Sequence, residues 1–132
     1  MHENEISREI IGAAIEVHKT LGGPGLLESV YEEALVWELQ ERGLGVERQL
    51  VVPISYKGNT LKTALRLDLL VEKKVIVEAK ALTQYNSIFE AQTLTYLRLL
   101  NLQLGLVINF GNRFVKSGIH RVVNNLKEQP KR

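Results

Sequence analysis

The spacing of the apolar residues changes at Val46, and this change limits the folds that the chain can adopt. Before Val46, apolar residues recur every three or four positions in two segments, which predicts amphipathic helices over about residues 5–20 and 27–39. Pro24 is expected near the first turn of the second helix and Gly43 at its end. After Val46 the period becomes two, which is typical of β-strands.

Three of the predicted strands form a meander. The first lies in VERQLVVPISYKG, where Pro53 indicates an edge strand or a bulge, and KGN is a turn. The other two lie in RLDLLVEKKVIVEAKAL, from Arg66 to Leu82. A helical period returns from Ser87 to Asn101, LGLVINFG reads as a short buried strand, and a basic segment follows. This order predicts an α/β fold with a mixed β-sheet flanked by helices.

Length and composition favour one domain, residues 1–132, which is large enough to bury a core without metals or crosslinks. The chain has no cysteine, which excludes disulfides and thiolate sites. It has no apolar run long enough for a membrane span or a signal peptide. A cytoplasmic protein without a membrane partner is therefore expected.

The net charge of +2 conceals an asymmetry along the chain. The first 45 residues contain nine acidic and three basic residues. From Arg98 onward there is one acidic residue, Glu128, against seven basic ones, which are Arg98, Arg113, Lys116, Arg121, Lys127, Lys131 and Arg132. The basic end is either a solvated surface or a contact for a polyanion such as nucleic acid. For the second case we expect phosphate contacts from Arg113, Lys116 and Arg121.

The charges in the hairpin RLDLLVEKKVIVEAKAL need an explanation, because its strands are otherwise apolar. A three-residue turn, 72–74, would place Val71 opposite Val75 and Asp68 directly opposite Glu78. One face would then be apolar, and the other would carry the charges. A two-residue turn would shift the register by one and mix charges into both faces, so we favour the longer turn.

Asp68 and Glu78 would then be like charges in near contact, which destabilises a sheet unless something offsets it. A divalent cation such as Mg²⁺ or Mn²⁺ would do so, since it prefers carboxylate oxygens, waters and phosphate oxygens. Lys80 would point to the same place and could orient a water or stabilise developing negative charge. The alternative is a structural salt bridge from Asp68 to Arg66 or Lys80.

The pattern D-x₉-E-x-K across this hairpin resembles the PD-(D/E)XK nuclease superfamily, and GLLESVY, residues 25–31, looks like the signature of its small GxxExxY family. The likeness runs from about Ile10 to Arg121, in the blocks VHKTLGGPGLLESVYEEAL, RLDLLV, VEAKAL, AQTLTYL and GLVINFG. Leu67 stands where the superfamily name has proline. The resemblance implies a PD-(D/E)XK nuclease-like core.

The resemblance also implies roles for single residues. Asp68 and Glu78 would be metal ligands, the backbone carbonyl of Ala79 a further ligand, and Lys80 the catalytic lysine. Glu28 would be an acidic metal ligand from a helix, although a glutamate at that place also suits a helix N-terminus by its charge alone.

Gln92 and Tyr96 resemble the Q-x-x-x-Y motif of RecB-type nucleases, in which both residues lie beside the metals and contact DNA. Their spacing places them on one face of a helix. Tyr96 could instead belong to the core. His18 is either a metal ligand, as in RecB-type enzymes, or a histidine packed at a helix edge. Asn109 matches the family block, and we assign it no chemical role beyond ending a strand.

The function expected from the resemblance is that of a Mg²⁺- or Mn²⁺-dependent deoxyribonuclease, with an exonuclease style of action favoured by Q-x-x-x-Y. Because the chain is short, a homo-oligomer or a protein partner is expected to complete the DNA-binding surface. Structure-selective cleavage of branched DNA by a dimer is the second nuclease hypothesis. The alternative class is a non-catalytic module that keeps the nuclease fold and binds nucleic acid or protein.

Overall fold

The computed structural model describes residues 1–128, so Lys131 and Arg132 lie outside the described part. The helices are α1 (Glu3–Leu21), α2 (Glu28–Glu41) and α3 (Ile88–Leu100). The strands are β1 (Val46–Val52), β2 (Ser55–Tyr56), β3 (Asn59–Thr60), β4 (Leu65–Val71), β5 (Val75–Lys80), β6 (Leu104–Asn109) and β7 (Ile119–Val123). A 3₁₀-helix, Val115–Gly118, precedes β7. None of the helices within residues 1–128 has the length and apolar character that a bilayer crossing requires.

The main sheet has the strand order β1-β4-β5-β6-β7. β5 and β6 are parallel and the other neighbours are antiparallel, so the predicted α/β fold with a mixed sheet is confirmed. Parallel neighbours need a crossover connection, and α3 provides it between β5 and β6. The C-terminal ends of β5 and β6 therefore lie side by side at one end of the sheet, where the antiparallel β4 begins.

Local signals fix the bounds of α1, which agrees with the helix predicted from the apolar spacing. The His2 side chain accepts a hydrogen bond from the Asn4 N–H, and the Glu5 side chain accepts one from the His2 N–H, which together form a capping box. Gly22 ends the helix with a left-handed backbone, φ +95°. The buried residues of the inner face are Ile6, Ile10, Ala13, Ala14 and Val17.

The second helix starts later than Pro24 suggests. Pro24 lies in the loop before α2, whose first residue is Glu28, so the proline is near the first turn but is not part of the helix. The Tyr31 hydroxyl donates a 2.6 Å hydrogen bond to the carbonyl of Gly23. This contact folds the loop back over the first turn of the helix. Gly43, with φ +82°, follows the helix end as predicted.

Apolar side chains cover both faces of the sheet and form two clusters. The first lies between the sheet and the pair α1 and α2, and its central members are Ile10, Tyr31, Leu35, Leu69, Val77, Leu106 and Phe110. The second lies under α3, and its buried members are Leu65, Leu67, Leu70, Ile76, Leu97, Val107 and Val122. The predicted division of the hairpin into an apolar face and a charged face holds only in part, because Leu67 packs on the α3 side with Leu70 and Ile76 and not with Leu69 and Val71.

Some short elements were not predicted. The segment after β1 forms the small hairpin β2-β3, with the expected turn at Lys57 and Gly58, both at positive φ. β1 ends at Val52, directly before Pro53, and is an edge strand, as the proline indicated. Within the basic C-terminal segment, β7 adds a strand to the opposite edge of the sheet.

Candidate active site

The turn between β4 and β5 has the predicted length, with Val71 paired to Val75. Glu72 and Lys73 adopt φ +52° and +55°, a conformation that glycine usually supplies in such turns. The ladder runs as far as Leu69 and Val77, and the expected direct pair of Asp68 with Glu78 is not part of it. The reason is that the side chains of β4 before and after Asp68 do not alternate regularly between the two faces of the sheet. Leu67 and Leu70 pack on the same side of the sheet, so the strict alternation of β4 is interrupted at Asp68.

Asp68 uses its side chain in place of a ladder hydrogen bond. Its Oδ2 accepts a 2.9 Å hydrogen bond from the backbone N–H of Ala79. The N–H and C=O of one strand residue point to the same side of the strand. The Ala79 carbonyl therefore points toward β4 and Asp68. This orientation is the one required if the carbonyl and Asp68 are to bind the same cation.

Glu78 is the most unusual carboxylate of the described chain. It is 6% exposed, and its Oε1 has no hydrogen-bond partner within residues 1–128. Burial, and then the neighbouring charge of Asp68, raise the pKa of Glu78 to about 9, although Lys80 acts in the opposite direction. The two carboxyl groups are therefore close enough for one to disfavour ionisation of the other. Burial and the charge of Asp68 thus both favour the protonated form of Glu78.

Lys80 ends β5, and its backbone is fixed by a 2.7 Å hydrogen bond from the Phe110 N–H to the Lys80 carbonyl. Its Nζ lies 4.4 Å from the centre of the Phe89 ring, in a cation–π contact. No ion pair within 4.0 Å joins Asp68, Glu78 or Lys80 to an opposite charge among the described residues. The salt bridge weighed as an alternative is thus not formed.

Glu28 opens α2 and lies at the same end of the sheet. Partial burial of its carboxyl group raises its pKa, the charge of Lys80 lowers it, and the charges of Asp68 and Glu32 raise it further. Its position at the helix N-terminus is also favourable for a negative charge. Both interpretations of Glu28 therefore agree with its place. Its electrostatic interaction with Asp68 and Lys80 associates it with the candidate site.

Two polar residues beside Asp68 had not been singled out in the sequence. Gln49 donates from Nε2 to Glu32 Oε1 at 2.7 Å and to Asp68 Oδ1 at 3.4 Å. Glu32 is 5% exposed and also pairs with Arg48, Nη2 to Oε2, at 3.4 Å. Gln49 adopts φ +51° inside a strand, a strained backbone for a residue other than glycine.

Weak signals for these residues were present in the sequence. Glu32 follows Glu28 by four residues and therefore shares its helix face. The pairing of Val46 with Val71 places Gln49 across from Asp68. That second signal needs the register between β1 and β4, which local sequence does not contain.

Tyr96 and Gln92 lie on one face of α3, as their spacing predicted. Burial raises the pKa of Tyr96, and the charges of Glu78 and Asp68 raise it further, so its hydroxyl lies near the carboxylates. Tyr96 also packs against the apolar cluster under α3, which means that the core interpretation holds for its ring. Gln92 is exposed one turn earlier.

His18 and Asn109 have structural contacts. His18 is buried, its Nε2 lies 3.1 Å from the Phe110 carbonyl, and its ring stacks on Tyr31, which favours the packed histidine over the metal ligand. Asn109 is 1% exposed, and its side chain forms two hydrogen bonds with the backbone of Leu82. Its Oδ1 accepts from the Leu82 N–H at 2.8 Å, and its Nδ2 donates to the Leu82 carbonyl at 3.0 Å. Asn109 thus fixes the chain two residues beyond Lys80.

Comparison with known families identifies the group to which this fold belongs. A family model described as the PD-(D/E)XK nuclease superfamily matches residues 4–122. The chain belongs to the PD-(D/E)XK nuclease superfamily. No curated protein and no solved structure matches it.

Membership of the PD-(D/E)XK nuclease superfamily indicates nuclease activity in general, with a nucleic acid as the substrate. Divalent metal ions are typical of the superfamily. The narrower resemblance to the GxxExxY family stays a prediction, as do the roles of the single residues.

Whether the residues of this PD-(D/E)XK chain suit a divalent cation can be tested on their chemistry. Within residues 1–128, no three His, Cys, Asp or Glu side chains stand close enough to form a complete metal cluster. The carboxyl group of Glu78 nevertheless interacts with that of Asp68, and its unpartnered Oε1 is a buried oxygen that is costly without a proton or a cation. Hard oxygen donors, with a backbone carbonyl among them, fit Mg²⁺ or Mn²⁺.

Proposed function

We propose that this chain is a Mg²⁺- or Mn²⁺-dependent deoxyribonuclease that hydrolyses the phosphodiester bonds of DNA. The observation that carries the proposal is the pair formed by Asp68 and Glu78, in which Glu78 is buried, has one unpartnered oxygen and is followed by Lys80 at the end of β5. A chain that needed only a stable sheet would gain nothing from leaving this oxygen unpaired.

The carboxylates of Asp68 and Glu78 and the carbonyl of Ala79 would hold the cation. Glu28, whose carboxylate does not form a three-carboxylate cluster with them in this structure, would complete the set from α2. When bound, the cation would polarise a phosphate oxygen and lower the pKa of a water molecule. A cation held there would favour the ionised form of Glu78, because its positive charge would offset both burial and the repulsion from Asp68. The N–H of Ala79 holds Asp68 in place throughout.

Lys80 acts on the charge that develops during hydrolysis. Its ammonium group orients the attacking water or stabilises the negative charge of the phosphoryl oxygens. In the free protein this ammonium group makes a cation–π contact with Phe89. The hydrogen bonds of Asn109 with Leu82 keep the end of β5 in register with β6. Lys80 is therefore positioned from both its side chain and its backbone.

Gln92 and Tyr96 would contact the DNA phosphate beside the carboxylates, since they share one face of α3 and Tyr96 lies near Asp68 and Glu78. By analogy with the Q-x-x-x-Y motif, we propose an exonuclease-like action. A homo-oligomer or a protein partner would extend the DNA-binding surface of this small domain, and a dimer would be required for structure-selective cleavage of branched DNA.

Cleavage of end-labelled single-stranded, duplex and branched DNA with Mg²⁺ or Mn²⁺ tests the proposal, with sedimentation at the same protein concentration to give the oligomeric state. We expect Lys80→Ala to lower turnover by roughly 10²-fold or more while Mn²⁺ affinity stays nearly unchanged. Asp68→Ala should instead weaken Mn²⁺ binding, because it removes a ligand.

Lys74→Ala is the matched control, since Lys74 precedes the same strand at its opposite end and its side chain donates to the Met1 carbonyl. Unchanged cleavage by Lys80→Ala would remove the catalytic role of this lysine. DNA binding without cleavage, and without Mn²⁺ binding, would favour the non-catalytic module instead.

A further inference from the structure

A cavity that the paired carboxylates do not line combines positive charge with an exposed aromatic ring. Its volume is about 580 Å³, and its main lining side chains are Ile15, His18, Lys19, Arg113, Phe114 and Lys116. Within residues 1–128, none of Lys19, Arg113 and Lys116 forms an ion pair, and no acidic residue lines the cavity. We call this place the Phe114 cavity.

The ring of Phe114 is held outward by its local structure. Phe114 is 65% exposed, whereas the next residue, Val115, is 3% exposed and belongs to the core. Ser117 donates from both its N–H and its hydroxyl to the Phe114 carbonyl, at 3.2 and 2.8 Å. The Arg113 guanidinium lies 5.2 Å from the centre of the ring. The ring is thus presented to solvent on a short, hydrogen-bonded turn.

Single exposed apolar residues are common and usually need no explanation. Trp37 is an example of equal size, because it is 63% exposed and lines a cavity together with Glu16 and Glu38. Phe114 differs from Trp37 in the sign of the surrounding charge. An aromatic face among unpaired cations is the combination that binds a base and its phosphates, and the acidic surroundings of Trp37 repel the same ligand.

The Phe114 cavity lies at the same end of the sheet as Lys80. The segment that carries Arg113 and Phe114 follows β6, whose C-terminal end is paired with that of β5. A Cβ atom at Gly111 would overlap the backbone of Leu82, so this segment passes directly against the chain that follows Lys80. On the other wall, Gly23 accepts a hydrogen bond from Tyr31, one turn after Glu28.

We propose that the Phe114 cavity binds unpaired nucleotides of the substrate, with a base stacked on Phe114 and the flanking phosphates held by Lys19, Arg113 and Lys116. The inference rests on the proposed function, because it assigns to that nuclease a subsite for a single-stranded segment of DNA. Of the three residues expected from the sequence to contact phosphates, Arg113 and Lys116 line this cavity. Arg121 instead donates to Asn4 and does not line it.

Binding measured without divalent metal tests the subsite separately from cleavage. The probes are a fluorescent oligothymidylate, an abasic oligonucleotide of the same length and a blunt duplex, each followed by anisotropy in EDTA. We expect Phe114→Ala to weaken binding of the oligothymidylate by about tenfold, since one stacked base contributes about 1–3 kcal/mol. Abasic and duplex binding should change by less than about twofold, because the phosphate contacts remain.

Phe114→Trp should retain or strengthen oligothymidylate binding, which separates stacking from a loss of fold. Trp37→Ala is the matched control and should leave all three affinities unchanged. Lys116→Gln should reduce the slope of log K against log salt by about 0.7 for both single-stranded probes, which is the value expected for one lost phosphate contact.

Equal losses on the oligothymidylate and the abasic probe, or no loss on either, would overturn the inference. So would a loss in Trp37→Ala as large as that in Phe114→Ala. Failure of the proposed function has a different signature: no DNA cleavage by the unaltered protein with Mg²⁺ or Mn²⁺, even where Phe114 selectively supports binding of the oligothymidylate.

Discussion

Glu32 and Glu78 are two glutamates of almost equal burial, at 5% and 6% exposure, in very different surroundings. Glu32 accepts hydrogen bonds from Gln49 and Arg48, and the latter also gives it an ion pair. Glu78 has an oxygen without a partner and lies beside the charge of Asp68. Burial alone therefore does not distinguish the two glutamates. They differ in the partners that the folded chain supplies to each carboxyl group.

The physical reason lies in the cost of a buried polar atom. Hydrogen bonds and opposite charge offset the loss of water around Glu32. Around Glu78 only a proton or a cation can do so, and the raised pKa of Glu78 reflects the first of these. Gln49 connects the two sites, because one amide group donates to Glu32 and to Asp68.

The largest expected difference between the two glutamates is in catalysis. Glu78→Gln should lower DNA cleavage by roughly 10²-fold or more, since in the proposed function Glu78 is a charged metal ligand at the reacting phosphate. Glu32→Gln should lower cleavage less, because Glu32 acts only through Gln49. Single-turnover assays of both variants, with folding checked by circular dichroism, measure the difference. Equal losses in the two variants would break the comparison.

The next effect is stabilisation by metal. Mn²⁺ at 100 times its dissociation constant should stabilise the unaltered protein by about 2.7 kcal/mol. Glu32→Gln should keep most of this gain, and Glu78→Gln and Asp68→Ala should lose it. Thermal melts with and without Mn²⁺ give the result, and a gain retained by Glu78→Gln would place the cation elsewhere.

In the absence of metal, the two substitutions Glu32→Gln and Glu78→Gln should change the free energy of unfolding in opposite directions. Glu32→Gln should destabilise the fold by about 1–3 kcal/mol, because Arg48 loses its ionised partner. Glu78→Gln should be at least as stable as the unaltered protein at neutral pH, since the amide does not need to hold a proton. Urea unfolding in EDTA measures both values.

The pH dependence of this difference has a definite sign. The pKa of Glu78 rises from 4.5 to about 9 on folding, so the stability associated with its protonated form is complete below about 4.5 and is lost as the pH rises through about 9. The advantage of Glu78→Gln over the unaltered protein should therefore grow across this window. A constant difference would mean that Glu78 does not titrate in this way.

The smallest effect concerns the connection between the two glutamates. Gln49→Gly removes the amide but suits the backbone at φ +51°, so it should leave the fold stable and weaken Mn²⁺ binding by about tenfold through Asp68. Gln49→Asn, which tolerates the same backbone with a shorter amide, is the control for the side chain. Full Mn²⁺ affinity in Gln49→Gly would confine Gln49 to a structural role.

Much of the fold could be predicted because its signals are local. The end of α2 at Gly43, the edge position next to Pro53 and the three-residue turn between Val71 and Val75 all follow from neighbouring residues. β7 was not predicted, since its five residues, IHRVV, are too short a run to show a clear period and lie within the segment interpreted as a basic end. Propensity is weak where a partner strand supplies the hydrogen bonds.

The sequence by itself determined which residues carry the candidate chemistry, because Asp68, Glu78 and Lys80 stand in two strands whose pattern also sets the turn between them. Only the tertiary structure decided how each of them is surrounded. The partners of Glu32, the unpartnered oxygen of Glu78 and the contact of Lys80 with Phe89 depend on segments far apart in the chain. Periodicity reports the face on which a side chain lies, whereas its electrostatic environment is set by whatever the folded chain brings against that face.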